Sequence, residues 1–147
     1  MQNLEEDRPE LAGKLDVRRD NMRGAAPDWE VEESAISALA PSFALPDSSD
    51  AHVLAAAIAG HADCIITFNL KDFPGAALAP FGIEAIHPDR FIISQFDLDP
   101  FRTVAALKKM RQRRAHPPMS PDEFIAAFER NRLPAVASRL REAAELI

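Results

Sequence analysis

The chain has 147 residues, 47% of them hydrophobic, which suffices for one domain with a buried core and leaves no room for a second large one. A net charge of −6 excludes a protein that meets nucleic acid through uniform positive charge: acids outnumber bases by seven over 1–50 and by two over 51–96, and only 97–147 is net basic, by three. The lone cysteine, Cys64, excludes an internal disulfide and fits a reducing cytoplasm, and no apolar run approaches the roughly 20 residues a membrane span needs.

In chain order, Leu4, Leu11, Leu15 and Met22 recur at helical spacing between Pro9 and Gly24, so the acidic N-terminal third reads as one or two amphipathic packing helices. Asp28, Trp29, Glu30, Val31 and Glu32 alternate as a short strand would, with Trp29 as a packing anchor, and 33–40 reads as a further helical turn before Pro41. Residues 50–59 carry one charge, Asp50 at the start, and are then apolar nearly all round, which suits a helix clamped between layers; Gly60 is placed to stop it. Residues 64–68 form an apolar run without alternation, as expected of a strand covered on both faces in a parallel sheet.

A helix over 50–60 is about 16 Å long and a strand over 64–68 about 17 Å, so the chain goes down and returns to the same level. Asp50 and the loop 69–72 should therefore share the carboxyl edge of the sheet, where open α/β folds place their ligands. Asp50 and Asp72, with Asp47, Thr67 and Asn69 nearby, would make an oxygen-rich site for a hard divalent cation. The competing reading is local: Asp and Ser at 47–50 are also what a helix start needs for capping, and Asp72 before Phe73-Pro74 is ordinary turn chemistry.

Further on, residues 83–86 are a candidate last strand, and Pro88 opens a short helix at its favoured first position. Asp99-Pro100 starts an amphipathic helix with Val104, Leu107 and Met110 on one side, ending in Lys108, Lys109, Arg111, Arg113 and Arg114. Those cations suit either RNA phosphates or simply the negative end of the helix. His116-Pro117-Pro118 breaks that helix, Ser120 to Glu123 spells a capping box, and a last helix after Leu133-Pro134 presents Val136, Leu140, Ala143 and Ile147. No histidine pair has zinc-ligand spacing, and neither a phosphate-binding glycine loop nor a Ser-His-Asp arrangement is present.

The stretch DAHVLAAAIAGHADCIITFNLKDFP, and FGIEAIHPDRF after it, resembles the PIN-domain family of metal-dependent ribonucleases, which includes many toxins of bacterial toxin-antitoxin pairs. The likeness covers residues 45–91. It implies a three-layer α/β/α fold with a parallel sheet, Mg²⁺ or Mn²⁺ as cofactor, RNA as substrate and an antitoxin protein as partner. By position, Asp50 matches the family's helix-start metal aspartate and Thr67 the threonine near its site; Asn69 stands where many members have an acid, so Asp72 or Asn69 completes the metal's shell. The family's first aspartate ends an N-terminal strand, and a glutamate follows on a later helix; both would lie upstream of what residues 1–28 resemble. Glu5, Glu6 and Glu10 read as a solvated acidic face rather than as substitutes.

The sequence thus predicts an N-terminally incomplete PIN-like α/β domain over 1–96 and a helical extension over 97–147. The leading function is metal-dependent RNA cleavage, weakened by the missing acids, with Lys108, Lys109, Arg111, Arg113 and Arg114 as RNA contacts. The alternative is a non-catalytic module that binds protein or RNA. A parallel sheet short of a central strand is also expected to recruit a neighbour, hence a homo-oligomer.

Overall fold

A computed structural model describes residues 14–26, 30–114 and 116–147, without the side chains of residues 14, 15 and 17–19. The expectations for Leu4, Glu5, Glu6, Pro9, Glu10, Leu11, Asp28 and Trp29, and the packing of Leu15, lie outside what is described.

Helix α1 (Lys14–Ala25) ends one residue beyond Gly24, the expected stop. Glu30, Val31 and Glu32 carry no strand, in contrast to the alternation reading; they lead straight into α2 (Glu33–Leu39). Two-residue periodicity over so short a stretch cannot hold a strand unless a neighbour supplies backbone partners. Helix α2 lies on α3 (Ala51–Ala59), whose buried face is Ala51, Leu54 and Ala55.

Helix α3 ends as expected at Gly60, but for another reason. The left-handed residue is His61 (φ 52), while Gly60 has φ −86. His61 N donates to Ile58 O (3.1 Å) and Ala62 N to Ala57 O (2.8 Å), the bond pair that closes a helix around one left-handed residue. A Cβ on Gly60 would come within 3.0 Å of both Ala56 O and the Val31 side chain, so glycine there serves the close approach of the 30–32 segment.

Strand β1 (Cys64–Ile66) follows, then a 3₁₀ turn (Leu70–Asp72), the short helix α4 (Gly75–Leu78), and β2 (Glu84–Ile86). The strands pair in parallel with Ile65 opposite Ala85, and Thr67 N continues the ladder to Ile86 O at 3.0 Å. Among the described residues the sheet has these two strands. One face packs on Leu54, Phe73, Leu78 and Ile83. The other is only partly covered, in contrast to the reading of 64–68: Ile66 is 45% exposed and Phe68 44%.

The remaining helices are α5 (Pro88–Leu98), α6 (Pro100–Gln112), α7 (Pro121–Arg130) and α8 (Pro134–Glu142). Each begins with proline at its first position, where the missing N–H costs nothing. Helix α5 is longer than the sequence suggests and joins a second core of Phe96, Phe124, Ile125, Phe128, Leu133, Val136, Ala137, Leu140 and Ile147. Asp89, in its first turn, is the buried carboxylate among the described residues and accepts from Ala135 N and Val136 N, both at 2.9 Å. Leu133, at the cap position of α8, has no side chain able to do this, so α8 is capped from a helix some 46 residues earlier.

Candidate metal and RNA site

Nine residues of α3 rise about 13 Å, and β1 with Thr67 returns a similar distance. Asp50 and the 67–72 loop accordingly lie toward the carboxyl edge of the sheet. At the helix start the two aspartates divide their tasks. Asp47 accepts from Ser49 N at 2.8 Å and initiates a 3₁₀ turn (Ser48–Asp50); the hydrogen bonds from Ser49, side chain first and backbone second, hold its carboxyl below the usual range. Asp50 sits in helical geometry (φ −87, ψ −5), makes no capping bond and is half-buried. Capping therefore accounts for Asp47 and not for Asp50.

Across the edge, Thr67 Oγ1 accepts from Asn69 N at 3.0 Å, which leaves its own proton free to donate. The Asn69 side-chain amide donates to the Asp72 carboxylate, and Asp72 N donates to Asn69 O at 3.2 Å, so Asn69 fixes Asp72 from both sides. The structure thus joins Thr67, Asn69 and Asp72 in one bonded loop. Among the described residues no group of three or more His, Cys, Asp or Glu side chains gathers in metal-binding range. Asp50 and Asp72, each half-buried, are the kind of oxygen donor that a hard cation retaining water and taking phosphate prefers. His52 is occupied elsewhere, its Nδ1 lying 2.6 Å from Ser49 O.

The basic cluster divides in two. Lys108 Nζ donates to Leu146 O (3.0 Å) and Arg111 to Met119 O (2.6 Å), so both fasten α6 to neighbouring backbone. Lys109, Arg113 and Arg114 are exposed. Sequence reasoning missed a different cation: the Arg132 guanidinium lies 5.1 Å from the centroid of Phe68, at the mouth of β1. Nothing in the spacing of Arg132 pointed to the sheet, because the α7–α8 turn reaches it only through tertiary packing.

Residues 6–71 match the PIN domain family, and residues 88–142 match the VapC50 C-terminal domain. The Mycobacterium tuberculosis (strain ATCC 25618 / H37Rv) protein named "Putative ribonuclease VapC50" is 40% identical over 92 residues, which cover 63% of this chain and 54% of that protein. The chain thus spans about half the length of the curated relative it matches. No solved structure matches it. The resemblance recognised from residues 45–91 is borne out by the PIN-domain match over 6–71 and the VapC50 C-terminal-domain match over 88–142.

Proposed function

We propose that the chain carries the RNA-cleaving site of a PIN-type, metal-dependent ribonuclease that acts as the toxin of a toxin-antitoxin pair in a reducing cytoplasm. The observation that carries this is Asp50: a half-buried carboxylate that its own helix does not use, because Asp47 has taken the capping role. Asp50 and Asp72 would hold Mg²⁺ or Mn²⁺, with Asn69 keeping Asp72 oriented. Bound there, a divalent ion supplies an activated water and neutralises phosphate charge. Thr67 would use its free hydroxyl proton to orient a water or a phosphate oxygen. Lys109, Arg113 and Arg114 would meet the RNA backbone, while Lys108 and Arg111 serve chiefly to hold α6.

The same reading places the described sheet within a three-layer α/β/α arrangement over 1–96 and treats 97–147 as a helical extension, whose core α5 joins. Leu98 and Phe101, 81% and 85% exposed, give an antitoxin or a second copy an apolar foothold. No helix among the described residues is long and apolar enough to cross a membrane. The absence of a three-acid cluster among the described residues favours a second reading, a PIN-like module that binds RNA or protein without cutting. Incubation of single-stranded RNA with the protein in Mn²⁺ decides between them. Cleavage that disappears in Asp50→Asn supports the nuclease; cleavage equal in both proteins, or absent from both, removes Asp50 from the chemistry.

A further inference from the structure

At the carboxyl end of β1, beside the acidic edge, the chain exposes an aromatic ring and lays a cation across it. Phe68 stands between Thr67 and Asn69, half in solvent, and His87 meets its ring in a T-shaped contact with centroids 5.1 Å apart. Arg132 comes from the other core. It occupies the left-handed position that closes α7 (φ 61), where Arg132 N donates to Glu129 O at 3.0 Å and Leu133 N to Phe128 O at 2.9 Å. That backbone conformation favours glycine, so an arginine is not what the turn itself calls for.

Its guanidinium is also uncommitted. Arg90, Arg102, Arg139 and Arg141 each pair with a carboxylate, whereas Arg132 has no ion-pair or hydrogen-bond partner among the described residues, and its described contact is the Phe68 ring. A guanidinium lying against a ring keeps its N–H donors in its own plane, free for an oxyanion fork. The neighbouring loop carries Asp72, so a phosphate drawn toward that edge needs a cation to offset the repulsion.

We infer that Phe68 and Arg132 form a nucleotide-binding platform for single-stranded RNA, with Arg132 donating to a phosphate and a base stacking against the ring and guanidinium. An aromatic face suits a base and has no comparable use for an acidic peptide. The choice of RNA as ligand rests on the ribonuclease reading; the arrangement of the two residues does not.

The test is fluorescence anisotropy with a 2′-O-methylated single-stranded RNA in EDTA, where nothing is cut. Arg132→Gly removes the guanidinium and relaxes the backbone, so its melting temperature should hold or rise while affinity falls about tenfold. Phe68→Leu should lose a similar factor, and the double variant little more than the larger single loss, because the two act as one surface. Wild-type affinity in a folded Arg132→Gly, no binding by the wild type, or equal competition by polyglutamate would each overturn the inference. If the losses appear as expected but the wild type does not cleave RNA in Mn²⁺, the nuclease reading fails and the platform stands.

Discussion

The two halves of the molecule are built on different terms. The helical half buries Phe96, Phe124, Phe128, Val136 and Leu140 among four helices and closes around them. The α/β half buries Leu54, Ile65, Phe73, Leu78 and Ile83 on one side of its sheet, while Ile66 and Phe68 on the other stay nearly half exposed. A core enclosed by helices is complete with local connections. A two-stranded parallel sheet is not, since its outer backbone groups and its second face need partners. Stability should therefore reside in the C-terminal half and unfilled binding capacity in the sheet.

That contrast can be broken most decisively at Leu140, which is fully buried. Leu140→Ala should cost about 2–5 kcal/mol in urea denaturation, through lost burial and a residual cavity. Next comes the tie between α5 and α8 within the helical half. Asp89→Ala strands the Ala135 and Val136 amides, the latter a buried bond, and should cost about 2–3 kcal/mol. A loss below about half a kcal/mol there would mean that α8 does not depend on its cap from α5.

A smaller effect is expected at the cap of α7. Ser120 Oγ accepts from Glu123 N (3.3 Å), and the Glu123 carboxylate accepts in return from Ser120 N (2.8 Å) and Ser120 Oγ (2.9 Å), two bonds, backbone first, that hold it below its usual range. Ser120→Ala should cost about 1 kcal/mol at neutral pH. Because the folded-state pKa of Glu123 is depressed, its contribution is complete above the ordinary glutamate range and is lost as pH falls through the lowered value. The gap between wild type and Ser120→Ala should therefore narrow in acid. Smallest of all should be Ile66→Thr, within about 0.5 kcal/mol if that face is open. A cost of several times that would show the face to be covered.

Much of this was legible in the sequence because it is local. The capping box at Ser120, the prolines opening α5 to α8, the α3–β1 pair and the β2 strand all follow from spacing within a few residues. Asp50, the proposed metal ligand, was legible as a candidate, but not its release from capping, which depends on Asp47 taking the Ser49 amide. Asp89 gave no signal in the sequence, because its partners Ala135 N and Val136 N come from a helix some 46 residues later. Arg132 gave no signal, since a left-handed arginine reads as a turn residue until Phe68 is found beneath it. The expected strand around Glu30 failed for the converse reason: alternation is local, but strand pairing is not.

The most direct test of the central proposal is calorimetric titration of Mn²⁺ into the protein and into Asp50→Asn. The expected result is binding at millimolar affinity or tighter in the wild type and none detectable in the variant, because a small oxygen site that loses one of two carboxylates loses much of its charge. Equal binding by both proteins would contradict it.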